Sequence, residues 1–417
     1  MNLPLKKMFS HRVFKNSTAL ILVQLFSYIS PLLVLPFLAR VMSLNDFGSL
    51  MMTFSFIAIS LVVTDFGFNL SGTYYISKNC DNRNLICLYL GGVFIIKTII
   101  SILLITLLYL FGRELIHIQT NKSFLIISSI IIVQAFQPIW FFQGIECMKK
   151  ITFFTILSKV SYLLLIITLA KDGSRDNVLV CYLISQCIGT VISLIFIYNL
   201  GYSLKIPTIN KIKVYFIDSL PFFISRLSVV AYTSANTLLL GRLSGVAQAA
   251  VYSSSEKIYY AGQSLLNPVS QAFFPYLSKT KDSRGYLKFI LLSSLILILS
   301  CLVVSNYVTD ILRIFYGDKF FMGDKILKVF LITTVVSYLS VNFGYPMFAI
   351  IDKIKYVNYT VMLGCVIQIS GLVLLNFFHS LNALSLAFLV LTVELFVLLA
   401  RVLIFFSLKN AYRQGQR

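Results

Sequence analysis

Residues 382–408 read NALSLAFLVLTVELFVLLARVLIFFSL, a run in which only Glu394 and Arg401 carry charge. An α-helix rises about 1.5 Å per residue, so about 20 apolar residues cross the roughly 30 Å hydrocarbon core of a bilayer. This run is long enough to span. Working back toward the N-terminus, short polar loops cut the chain into similar runs. Spans are expected near 17–41, 47–70, 85–111, 123–143, 152–170, 178–200, 216–241, 246–277, 286–308, 325–350, 356–377 and 382–408. The expected fold is an all-α polytopic membrane protein of about 12 transmembrane helices. With 58% of its 417 residues hydrophobic, little is left for extramembrane domains, which favours transport over chemistry carried on loops.

The formal charge of +20 could suggest a nucleic-acid binder, but its distribution points to the membrane. With the N-terminus inside, the cytoplasmic segments hold twenty Lys and Arg and the external loops nine, Arg40 and Arg242 among them. Retention of positive charge on the cytoplasmic side places both termini there and fits an even number of spans. The apolar run after the basic N-terminus is too long for a signal-peptide core. The seven cysteines form no C-x-x-C pair, and the expectation is free thiols with no metal site.

The widest basic loop within the array, Leu200 to Val214, divides the spans six and six. Short echoes cross it at offsets of about 200 residues: Ala39-Arg40-Val41 with Gly241-Arg242-Leu243, and Pro138-Ile139-Trp140 with Pro346-Met347-Phe348. Copies separated by an even number of spans keep the same orientation, so the repeats are parallel. The expected lobes are residues 1–202 and 203–417, two six-helix bundles around a central cavity. Prolines at 31, 36, 138, 221, 268 and 275 mark possible bends. Span 8, the longest, is expected to kink near Asn267-Pro268.

Ten ionisable residues fall inside these spans: Asp65, Lys97, Lys159, Asp218, Arg226, Glu256, Lys257, Lys328, Glu394 and Arg401. Insertion scales put a central charge at about 2.5 to 3.5 kcal/mol, so the deep ones should line a hydrated cavity or pair. Asp218, Lys328 and Arg401 lie near enough to span ends to snorkel. In span 8, Gln248, Tyr252, Ser255 with Glu256, Tyr259 and Gln263 recur at helical spacing and share one face. Ser225, Ser228, Tyr232 and Asn236 do so in span 7. Gln24, Ser27 and Tyr28 form a polar face in span 1, and Thr53, Ser60, Thr64 and Asp65 form one in span 2. Hydroxyls, amides and aromatic rings suit a sugar-bearing ligand; interhelical hydrogen bonding uses the same residue types.

The deep cations outnumber the deep anions, which fits a phosphate or pyrophosphate head better than a cationic drug. Candidate ligand-binding residues are therefore Arg40, Lys97, Lys159, Arg226, Arg242 and Lys257, with Tyr28, Tyr232, Asn236, Tyr252 and Tyr259. Asp65, Glu256 and Glu394 are candidates for ion coupling. Adjacent residues project about 100° apart on a helix, so Glu256 and Lys257 need not neutralise each other. A phosphate-binding loop is missing: the nearest approach ends Lys97-Thr98 with Ile96 where the second glycine would stand. Three scattered histidines offer no catalytic grouping. An integral-membrane glycan polymerase stays as a weaker alternative.

The run from Gln24 through Phe37 to Phe47-Gly48 resembles the first span of bacterial O-antigen and polysaccharide repeat-unit flippases. So do residues Asp65 to Ser71, Pro138 to Glu146 with Met148 to Thr152, and Phe274 to Lys279. The resemblance covers most of the chain and both lobes. It implies membership of the superfamily that also holds multidrug exporters. It further implies transfer of an undecaprenyl-pyrophosphate-linked oligosaccharide to the outer leaflet of a bacterial inner membrane, with no bond made or broken, no cofactor and no nucleic acid. Implied partners are the lipid-linked oligosaccharide, membrane lipids, a polysaccharide polymerase and a chain-length regulator. The alternative within the superfamily is an ion-coupled multidrug exporter.

Overall fold

A computed structural model describes residues 30–31, 33–118, 120–281 and 283–414. Among them the regular structure is helical throughout. A helical segment at 33–41 precedes α1 (Leu44–Asp65), α2 (Phe68–Lys78), α3 (Arg83–Ile116), α4 (Asn121–Ala135), α5 (Ile139–Gly144), α6 (Met148–Leu169), α7 (Arg175–Asn199) and α8 (Ile209–Thr233). There follow α9 (Ala235–Ser244), α10 (Val246–Thr280), α11 (Ser283–Asn306), α12 (Val308–Tyr316), a 3₁₀ turn (Asp318–Gly323), α13 (Asp324–Asn342), α14 (Tyr345–Ile350), α15 (Lys355–Phe377) and α16 (Ala383–Gln414). Ten of these segments, some interrupted, are long and apolar enough to cross a membrane. The protein is a multi-pass membrane protein. Leu291, Leu295, Leu299 and Leu302 of α11 stand more than half exposed, a face that water would disfavour and lipid accepts. Most of expected span 1 lies outside the described residues, and expected span 8 is the single helix α10, of 35 residues. Its polar stripe leaves it outside the ten apolar segments.

Packing divides the described chain into two units, one taking residues up to Asp46 with Thr53–Val230, the other Phe47–Met52 with Ala231 onward. Most of α8, on the far side of the basic loop, thus packs with unit 1. Phe66 stacks between Phe216 and Phe223 at centroid separations of 4.4 and 4.5 Å, and the hydroxyls of Ser71 and Ser219 lie 2.7 Å apart. Tyr215 meets the rings of Tyr75 and Tyr89. In unit 2, Phe47 packs edge-on against Tyr316 and Phe320.

Three membrane-length segments are interrupted. Between α1 and α2 the backbone turns left-handed at Phe66 (φ 48°) and Gly67 (φ 80°). A side chain at Gly67 would lie 2.7 Å from the Phe223 nitrogen, so the close approach of α8 needs glycine there. The second interruption, Phe136 to Pro138, leads into α5. The third, Phe343 to Gly344, leads into α14, which carries Pro346 in its first turn. Proline is tolerated there because the first turn of a helix has no amide partner to lose. The echoed Pro138 and Pro346 therefore occupy like places at the start of a short second half-helix.

Candidate functional site

Helix interruptions inside a bilayer leave carbonyl groups that must find donors. In unit 1 the Lys97 ammonium donates to the Ala135 carbonyl at the end of α4, 2.9 Å away, and lies 3.6 Å from Asp65 at the end of α1. Lys97 is 2% exposed. In unit 2 the Arg401 guanidinium donates through Nη1 to the carbonyl and the hydroxyl of Ser340, at 2.7 and 3.0 Å. Its Nε donates to the Thr360 hydroxyl at 3.1 Å. The expectation that Arg401 snorkels is corrected: it is 7% exposed, and the open end of α13 holds it inside. Asp218 and Lys328 are exposed.

Two further cations cap helix ends in the same way, Arg83 at the Leu200 carbonyl (2.6 Å) and Lys281 at the Ala349 carbonyl (2.8 Å). A positive charge is favoured there by the partial negative charge of a helix C-terminus.

Unit 2 holds a cavity of about 210 Å³ with both polar and apolar walls. Its wall includes Tyr232, Asn236, Tyr252, Glu256, Tyr259, Tyr260, Gln263, Ser337, Ser340, Glu394 and Arg401. Tyr252, Glu256, Tyr259 and Gln263 reach it because α10 presents its polar stripe on one face, as its spacing requires. The Gln263 amide donates to the Tyr259 hydroxyl at 2.5 Å and to Ser337 Oγ at 2.6 Å. Thr237 donates to Glu256 Oε2 at 3.3 Å, and Gln368 donates to Asn236 Oδ1 at 2.9 Å.

The rest of the stripe joins helices together. Gln248 accepts from the Ala383 amide at the start of α16, and Ser255 donates to the Gly323 carbonyl. Both sequence readings of the stripe, cavity and interhelical bonding, thus apply to different turns of one helix.

Of the candidates named from sequence, Tyr232, Asn236, Tyr252, Tyr259, Glu256 and Glu394 line this cavity. Lys97 and Asp65 meet each other in unit 1. Arg40, Arg226 and Arg242 are exposed, and Lys159 is half-buried. Lys257 is partly exposed, with Nζ 3.8 Å from Glu256 Oε2 and 5.8 Å from the Tyr260 ring centroid. The adjacent pair does approach, because the flexible lysine stem spans the 100° between them. Tyr28, with Gln24 and Ser27, lies outside the described residues. Sequence reasoning passed over Ser337 and Ser340 and read Arg401 as a span-end charge. Arg401 stands seven residues from Glu394, two turns along one helical face, and that spacing is the signal that could have found it.

These features form a bundle of membrane-length helices with a buried polar chamber. Residues 13–281 match the family model described as polysaccharide biosynthesis protein. The chain belongs to that family. It is 28% identical over 273 residues to a protein of Escherichia coli (strain K12) named as an O-antigen transporter. That alignment covers 64% of this chain and 65% of the relative. A Shigella dysenteriae protein of the same name is 30% identical over 276 residues, covering 64% and 67%. The chain thus matches about two thirds of these relatives' length.

Among solved structures, the lipid II flippase MurJ in an inward closed conformation superimposes with a TM-score of 0.72 at 12% identity, covering 95% of this chain and 87% of that one. An inward-facing multidrug resistance transporter of the MATE family gives 0.69 at 11% identity, covering 94% and 95%. The chain therefore shares the fold of these two structures.

Proposed function

We propose that the protein is a flippase that moves an undecaprenyl-pyrophosphate-linked oligosaccharide from the cytoplasmic to the periplasmic leaflet of a bacterial inner membrane. Both termini are cytoplasmic in this reading, and lobes 1–202 and 203–417 alternate in opening to the two sides. Family membership over residues 13–281, with relatives named for O-antigen transport, is the observation that carries it. The polar groups support it: Arg226 on α8 and Lys257 on α10 each keep exposed surface and each suits a phosphate group, while the carboxylates Glu256 and Glu394 line an interior cavity where an ion can be exchanged. The lipid-linked oligosaccharide would be shared with a polymerase and a chain-length regulator.

Deleting the protein tests the reading. Surface polysaccharide should be lost while lipid-linked repeat units remain on the inner leaflet. The second reading, export of cationic drugs, is favoured by the two cavity carboxylates among four tyrosine rings, which suit a cation. Unchanged polysaccharide with raised sensitivity to lipophilic cations would select it.

A further inference from the structure

The last turn of α13 is held from α16 through Arg401. Ser337 and Ser340, one turn apart, line one cavity with Glu394 and Arg401, two turns apart. Ser337 accepts from Gln263 of α10. Ser340 receives both its bonds from Arg401 Nη1. Glu394 and Arg401 line the same cavity, so their opposite charges share one small polar space. Beyond Ser340 the helix stops: the Gly344 amide turns back to the Val341 carbonyl at 3.1 Å. A Cβ on Gly344 would lie 3.2 Å from Arg401 Nη1, so the guanidinium sits directly against the interruption. The cavity faces of α8 and α10 add Tyr232, Tyr252, Tyr259, Tyr260 and Glu256 around the pair.

We propose that Arg401 is a positioning residue of the transport cycle, tying the interrupted end of α13 to Glu394 so that a change of charge on Glu394 is transmitted to the Phe343–Gly344 break. The guanidinium can do this because its planar fork bonds α13 and α15 at once while its charge faces the cavity that Glu394 also lines. When Glu394 loses its negative charge, Arg401 loses its counter-charge, hydrates toward the cavity and releases Ser340. The break then opens without unfolding either flanking helix. The proposal deepens the flippase reading by giving one coupling candidate a mechanical output, and it rests on that reading only for the word transport.

Hydrogen–deuterium exchange tests it on the full-length protein in nanodiscs at one fixed pH. Glu394→Gln should speed exchange of amides 341–348 about tenfold, the equivalent of one lost membrane-buried hydrogen bond. In an Arg401→Lys background, which keeps the charge but not the fork, the same change should add less than about twofold. Amides 133–143, at the unit 1 break, should not respond in either background. Equal acceleration in both backgrounds, or none in either, would overturn the role of Arg401. Where Arg401→Lys does not accumulate, Arg401→Gln serves as the second background: a blunted response there supports the role, and a full tenfold response overturns it. Exchange is read without substrate, so its failure is distinct from failure of the flippase reading, which the deletion phenotype decides.

Discussion

The breaks at Ala135 in unit 1 and at Ser340 in unit 2 have the same device, a buried cation on an open helix end, in opposite surroundings. Lys97 is buried among the described residues next to a largely aromatic cluster. Phe94 packs on Phe136 at 5.4 Å, and Phe66, Phe68, Trp140 and Phe141 belong to the same buried cluster. One ammonium satisfies a carbonyl on one broken span and a carboxylate on another. Around Arg401 the space is a polar chamber that also holds Glu394 and Glu256. Where apolar packing surrounds the charge, it is committed to holding structure. Where a cavity adjoins it, the charge keeps its helix-end bonds and also faces open space.

This difference is open to measurement as stability. Lys97→Ala should do the most damage, about 3 to 5 kcal/mol, because it leaves Asp65 buried without its partner. Thermal unfolding in detergent and protein abundance would register it, and adding Asp65→Asn should recover most of the loss. If Lys97→Ala folds normally and abolishes only transport, the sealed description of unit 1 fails. Gly67→Ala should follow at about 1 to 3 kcal/mol, since the left-handed backbone and the Phe223 amide both oppose a side chain.

Arg401→Ala is expected to cost less, about 1 to 2 kcal/mol, because cavity water can reach the freed Ser340 carbonyl. A cost above that of Lys97→Ala would reverse the comparison. The smallest structural effect belongs to the exposed Arg226: Arg226→Ala should stay within about 0.5 kcal/mol of the parent. Surface polysaccharide should nonetheless be lost from cells at unchanged protein level. Full export in that variant, in Lys257→Ala and in the double variant would remove both cations from ligand binding.

Much of this architecture is legible in the chain because lipid imposes a simple code. A run such as 382–408 has one reading, and the stripe on α10 follows from helical periodicity. The matched places of Pro138 and Pro346 show that even a three-residue echo can carry geometry. Partner choice is hidden. Asp65 and Lys97 sit 32 positions apart on different helices, so their spacing holds no periodic signal, and each reads alone as a lining charge. Arg401 is obscured by its nearness to a span end, where a long side chain usually escapes to water. The division of packing at Val230 is equally hidden, since it depends on aromatic contacts of Phe66 and Tyr215 that no composition shift marks.

The order in which the two capping cations are synthesised differs as well. Lys97 precedes the carbonyl it serves by 38 residues, so the donor is in place when the broken α4–α5 segment leaves the ribosome. Arg401 follows Ser340 by 61 residues, about 3 to 12 s of elongation at 5 to 20 residues per second. Throughout that interval the Ser340 carbonyl at the end of α13 has no guanidinium to close it. A chain truncated before residue 401 therefore has that carbonyl without the donor that serves it in the full chain.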